Sequence, residues 1–339
     1  MVVKQQHPRV TLHDVAKAAG VSRSTASRAL NGSPRISKRT TEHVRQIAQK
    51  LGFVANAQGR ALAMGHSETI AILVTEPLDE FLSDPTYGTF LRGISEELSQ
   101  SSYLPILMQA STQSERIRVQ RHLERHIVDA VIDISPYIGT DLLDVMAKIH
   151  MPAVLCGQLG YNPYGGIFSN VYSDDVEGAA LAARAMWERG RRNVLAIMGP
   201  AINPAVPDRL KGYRSVYGRD LPDERIIYTG WDESSGFNAI NQLLDEGLTI
   251  DGVLAASDRI AVGVMAALSA RDISVPDAVS VIGYDDHPLA AQSHPPLTTV
   301  HQPLMEEGRQ AAELALASTT GAPPTTKILH MSLVRRASL

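Results

Sequence analysis

One cysteine, Cys156, is present in 339 residues, and a lone thiol excludes any internal disulfide framework. No apolar run approaches 18 residues, so no membrane-spanning helix is expected. The N-terminal stretch lacks the long apolar core of a secretory signal, so the expected compartment is the cytoplasm. Catalytic signatures are missing as well. His122 and His126 stand four apart, a spacing that can hold a metal on a helix, yet HExxH is absent and no third ligand is evident. Asp285, Asp286 and His287 are adjacent, but no GxSxG nucleophile accompanies them. No enzyme activity, metal or cofactor is therefore expected.

Charge, by contrast, is plentiful and uneven. The net −4 divides into +9 over residues 1–66 and −13 over the rest. A basic head on an acidic body is the signature of a phosphate-binding module attached to something else.

Within the head, residues 9–31 read RVTLHDVAKAAGVSRSTASRALN. Thr11 with Asp14 suits a capped helix start, and Leu12, Val15, Ala16 and Ala19 follow the spacing of a buried helical face. Gly20 falls where a left-handed cap ends that helix. Ser22 is a natural cap for the next one, in which Ala26, Ala29 and Leu30 face inward. That leaves Arg23, Ser24, Thr25 and Arg28 outward, where they can meet base edges. A third helix is expected from about Ser37, with Val44, Ile47, Ala48 and Leu51 inward and Gly52 as its stop. Two short helices about a glycine turn, with arginines on the second, make a helix-turn-helix suited to the major groove.

Thr11, Leu12, Asp14, Val15, Ala16, Ala19, Gly20, Val21, Ser22, Thr25, Ala26, Ser27, Leu30 and Asn31 match T-[IL]-x-D-[VI]-A-x-x-A-G-V-S-x-x-T-[VA]-S-x-x-L-N. On these residues the chain resembles the lactose-repressor (LacI) family of transcriptional regulators. The resemblance implies that Arg23 and Ser24 read bases and that Arg28 faces a guanine. A bidentate arginine–guanine pair is typically worth about 1–3 kcal/mol of discrimination. It also implies that Thr11, Ser22, Thr25 and Asn31 belong to the DNA-contacting set, Ser22, Thr25 and Asn31 at phosphates. In LGFVANAQGRALAMG it implies a hinge helix entering the minor groove, capped by Asn56, with Leu62 as the wedge between base steps. Ala55 replaces the family's usual proline and Gly59 its usual alanine. A mid-helix glycine costs roughly 0.8–1.0 kcal/mol against alanine, so the hinge helix is expected to depend more on DNA and on its partner hinge for folding.

Beyond residue 67, apolar runs alternate with amphipathic stretches: 69–74, 104–108, 128–134, 153–156, 194–198, 225–228, 252–255 and 279–282. This alternation over about 270 residues calls for α/β layers with parallel sheets, and the length calls for two lobes. The expected architecture is α/β overall: an all-α helix-turn-helix head over 9–54, a hinge helix and linker over 55–66, and a two-lobed body of the type I periplasmic-binding-protein kind over 67–339. The resemblance divides that body into an N-lobe of about 67–166 with 301–328 and a C-lobe of about 167–300 with 329–339.

Open α/β sheets place ligands at the carboxyl ends of their strands. Arg209, Trp231, Ser257, Asp258, Asp285 and Asp286 all follow strand runs. By resemblance Arg209, Trp231, Ser257, Asp285 and Gln302, the last in LTTVHQP, align with the family's effector pocket. Asp84 and Tyr87, in SDPTYGTF, resemble the family's cleft-facing segment after the first strand. Carboxylates and an arginine suit neighbouring hydroxyls, and an indole suits the apolar face of a pyranose, so a small carbohydrate is the expected effector. Two alternatives stand beside it: a purine or other metabolite acting as corepressor on the same architecture, and a transporter-type sugar-binding protein, against which the basic head and the missing signal both count. Since one helix-turn-helix reads a half-site, a homodimer on a palindromic operator is expected. The end LVRRASL carries no heptad tail, and so no sign of a tetramer.

Overall fold

The computed structural model describes residues 10–53, 66–134, 141–157 and 162–339, which fall in two compact units, Met1–Ser67 and Glu68–Leu339. In the first, α1 (Leu12–Ala18), α2 (Arg23–Leu30) and α3 (Lys38–Lys50) each begin at the expected cap, Thr11, Ser22 and Ser37. Thr11 and Asp14 form a reciprocal capping box, and Gly20 turns at φ +65°. The core is small: Val15, Ala16, Ala19, Ala26, Ala29, Val44 and Ala48, with larger side chains around its edge. Short alanine side chains let the three helices approach closely. Leu51, expected inside, is 37% exposed, because it caps α3 beyond the last turn, and Phe53 folds back against the core instead.

Among the described residues the second unit has twelve strands: β1 (Thr69–Val74), β2 (Leu104–Gln109), β3 (Ala130–Asp133), β4 (Ala153–Cys156), β5 (Ser169–Ser173), β6 (Val194–Met198), β7 (Ile226–Tyr228), β8 (Gly252–Ala255), β9 (Ser280–Asp285), β10 (Thr298–His301), β11 (Thr326–Leu329) and β12 (Ser332–Val334). They form two six-stranded sheets, ordered β11-β5-β4-β3-β1-β2 and β12-β10-β9-β8-β6-β7. Among the described strands every pairing is parallel except β10 with β12. Helices cover both faces of each sheet, as parallel strands require, so β1, β3, β4, β6 and β8 are buried almost throughout.

The chain crosses between the sheets three times: after β5, after β10 and between β11 and β12. Because β5 pairs with β4 and β11, the first crossing follows Ser173 and not residue 166. Strand order reverses between β3 and β1 in one sheet and between β8 and β6 in the other, which opens a crevice at the carboxyl ends there. Two helices flanking the crevice are locked backbone to backbone. A Cβ on Gly93 would lie 2.0 Å from the Met305 carbonyl oxygen, and one on Gly308 2.1 Å from that of Phe90. This crossing fixes the starts of helices Pro85–Leu98 and Leu304–Thr319, and with them Asp84 and Gln302.

Candidate functional sites

On the head, the Ser22 hydroxyl accepts the Thr25 N–H at 3.1 Å and lies 2.8 Å from Thr25 Oγ1 and 2.9 Å from Ser24 Oγ. Three hydroxyls thus cluster at the positive end of α2, a natural seat for a phosphate. Arg23, Ser24 and Arg28 are exposed on the face opposite buried Ala26 and Ala29, and Thr25 is half-buried. Asn31 caps the far end of α2 and is exposed, as is Thr11 at the start of α1. Asn56 and Leu62 lie outside the described residues.

In the body, Arg209 is the centre of a buried charge network. Helix Ala205–Tyr217 follows β6 and turns its guanidinium inward, 6% exposed. Nε donates to Asp175 Oδ1 at 2.8 Å, Nη1 donates to the Ala256 carbonyl, and Nη1 lies 3.5 Å from Asp285 Oδ1. The guanidinium carbon sits 3.8 Å above the Tyr284 ring and 5.8 Å from the Trp231 ring, both within cation–π range. Burial works against the charge, but Asp175 and Asp285 outweigh it and hold Arg209 protonated.

Asp285 ends β9 with φ at +103°, a backbone conformation that L side chains rarely adopt. Gln302 Nε2 donates to its Oδ1. Burial, reinforced by the charges of Asp84 and Asp175, pushes the Asp285 carboxyl up to about 7 against the pull of Arg209 and Gln302. Asp84, whose charge contributes to that rise, caps helix Pro85–Leu98 in the first sheet's half. Trp231 is half-buried, its indole laid over Gly199, where a Cβ would come within 2.3 Å of the ring. Arg209, Trp231, Asp285 and Gln302 therefore cluster at the carboxyl ends of the second sheet's strands.

Residues 11–56 match bacterial regulatory proteins of the lacI family, and residues 183–339 match a periplasmic binding protein-like domain. The chain is 31% identical to the HTH-type transcriptional regulator CelR of Thermobifida fusca, over 98% of this chain and 99% of that protein. It is 29% identical to the ribose operon repressor of Escherichia coli K12, over 91% of this chain and 93% of that one. A solved CelR–cellobiose complex superposes with a TM-score of 0.76 at 31% identity, covering 97% of this chain and 100% of the other. The chain belongs to the LacI family. It is a DNA-binding transcriptional regulator with a helix-turn-helix head and a periplasmic-binding-protein-like body.

The other expected LacI-type pocket residues are engaged in local contacts. Asp258 is fully buried, with Oδ1 accepting from Thr299 Oγ1 at 2.5 Å and Oδ2 from the His287 N–H at 2.6 Å. Both oxygens are engaged inside the second sheet's half, so Asp258 pins the turn after β9 and is not brought to the cleft. Ser257 caps helix Asp258–Ser269 through the Ile260 N–H at 3.1 Å and is 5% exposed. Tyr87 stacks on Phe81 at 4.7 Å and packs against the first sheet's core. Asp286 binds Arg336 at 2.7 Å and His301 at 3.0 Å, outside the crevice network.

Sequence reasoning missed Asp175, the closest ion-pair partner of Arg209; its only signal is the Asp174–Asp175 doublet that follows β5. His126 lies beyond helix Gln113–Leu123 at φ +49°, so it shares no helical face with His122. Among the described residues no group of three or more His, Cys, Asp or Glu side chains is arranged to hold a metal, and no helix is long and apolar enough to cross a membrane.

Proposed function

We propose that this regulator is a cytoplasmic, non-enzymatic homodimeric repressor whose grip on a palindromic operator is set by a small carbohydrate bound between the two halves of its body. The observation that carries the effector assignment is the Arg209–Asp285–Gln302 cluster beside Trp231. Its donors and acceptors suit adjacent hydroxyls, and the indole suits the apolar face of a pyranose. The cellobiose complex of the related CelR supports the same class.

The dimer is supported by the geometry of operator reading, one head per half-site. It is supported too by edge strand β2, where Leu104 is 70% exposed and Ile106 and Leu107 are also exposed, an apolar strip suited to a second copy. The family resemblance assigns Asn56 and Leu62 to the same DNA-contacting set. Linkage then requires operator and sugar to alter each other's affinity by the same factor, typically about 5–150-fold.

A thermal-shift screen of cellobiose, ribose, galactose, hypoxanthine and guanine, repeated with an operator fragment, tests this. A sugar should raise the melting temperature and change the retardation of the fragment. A response to purines alone would assign the cleft to a nucleobase.

A further inference from the structure

His287 is 7% exposed, yet among the described residues neither ring nitrogen has a hydrogen-bond partner. Buried polar groups are rarely left without a partner, which makes both nitrogens candidates for a ligand contact. The ring is held in place by its own backbone. Its N–H donates to Asp258, and it follows two consecutive left-handed residues, Asp285 at φ +103° and Asp286 at +55°. The charged groups acting on it come from three elements: Asp84 at the start of helix Pro85–Leu98 in the first sheet's half, and Arg259 and Glu233 at the starts of two helices of the second. Asp84 in turn uses Oδ1 for the Thr86 N–H and hydroxyl, at 2.9 and 2.7 Å, and its second oxygen makes no hydrogen bond among the described residues.

Burial, foremost, lowers the His287 pKa and favours the neutral ring, which offers one donor and one acceptor, the complement of a hydroxyl. The charge around it tells against anions, because the one cation acting on the ring, Arg259, is outnumbered by Asp84 and Glu233. The guanidinium of Arg209 is already shared by Asp175 and Asp285, and Asp84 and Glu233 add further negative charge.

We infer that His287, with Asp84 on the opposite side of the cleft, reads a hydroxyl of the effector and restricts the site to uncharged carbohydrates, excluding sugar phosphates and uronates. This inference rests on the carbohydrate reading of the cleft. The test is calorimetric titration of the full chain at pH 7.5 with matched sets: glucose, glucose 6-phosphate and glucuronate; galactose and galactose 6-phosphate; ribose and ribose 5-phosphate; and cellobiose. The best uncharged sugar should bind at least tenfold tighter than its charged counterparts. His287→Ala should weaken that sugar tenfold or more while still unfolding cooperatively. His287→Gln, which keeps one donor and one acceptor, should recover part of the loss, and it decides the matter if the alanine variant fails to fold. A charged sugar that binds as tightly as its neutral counterpart, or a folded His287→Ala with unaltered affinity, overturns this inference and leaves the carbohydrate reading standing. If no sugar of either kind binds, the carbohydrate reading falls and takes this inference with it.

Discussion

The head and the cleft of this LacI-family protein place their chemistry on opposite sides of the solvent boundary. Arg23, Ser24 and Arg28 lie exposed on a helix whose stability comes from Ala26 and Ala29 behind them and from the Ser22 cap. Arg209 and Asp175 are buried, the Asp285 side chain is only 11% exposed, and the one guanidinium holds both carboxylates. Exposed charges interact weakly with the fold and are free to change with the operator. A buried network must be complete before the fold is stable, so the residues available to an effector also hold the body together.

The sharpest test removes Arg209. Breaking a buried ion pair by deleting one partner typically costs about 3–5 kcal/mol, because the remaining carboxylates are left without compensation. Arg209→Met should lower the stability of the body by that amount in urea unfolding and abolish sugar binding. A loss under about 1 kcal/mol would show the cleft charge to be as dispensable to folding as the head's.

Glu307 extends the comparison to pH. It is 6% exposed, its Oε2 accepts the Ser173 hydroxyl at 2.7 Å, and burial pushes its carboxyl from the ordinary 4.5 up to about 7. Below pH 4.5 the group is protonated both folded and unfolded. As pH rises from 4.5 through 7, the folded state holds a proton that the unfolded state has released, so stability falls. At about 1.4 kcal/mol per pKa unit, the whole effect is on the order of 3 kcal/mol and is complete near pH 8. Glu307→Gln should therefore match the parent in melting temperature near pH 4.5 and exceed it at pH 8. Parallel pH profiles for the two proteins would mean that Glu307 is already ionised in the fold.

The same contrast explains what could be read in advance. Every cap in the head is local: Thr11 to Asp14, Ser22 to Thr25 and Ser37 to Thr40 each span three residues, within reach of a pattern. Buried strands such as Val194–Met198 and Gly252–Ala255 announce themselves as apolar runs. Ser169–Ser173 does not, since Ser169 and Asn170 are buried and polar, and Asn170 donates to the Leu155 and Gly157 carbonyls only once β4 is beside it. The cleft joins Asp84, Asp175, Arg209, Asp285 and Gln302 across most of the chain, so strand-end position identified Arg209 and Asp285 but not Asp175. The same rule overreached at Asp258, which follows a strand end but turns inward to the His287 N–H.

The smallest expected effect on folding belongs to Arg28, and it sharpens the comparison from the other side. Its side chain is exposed and makes no part of the small core under α2. Surface substitutions away from caps and cores usually change stability by less than about 0.5 kcal/mol, so Arg28→Ala should melt with the parent. Operator binding should nevertheless lose about 1–3 kcal/mol of discrimination between operator and scrambled duplex, the worth of a bidentate arginine–guanine pair. Binding to scrambled duplex should change little, because the remaining basic residues still meet phosphates. Competition gel retardation at fixed salt separates the two quantities. If both duplexes weaken equally, Arg28 meets the phosphate backbone, and base reading falls to Arg23 and Ser24 at the start of α2.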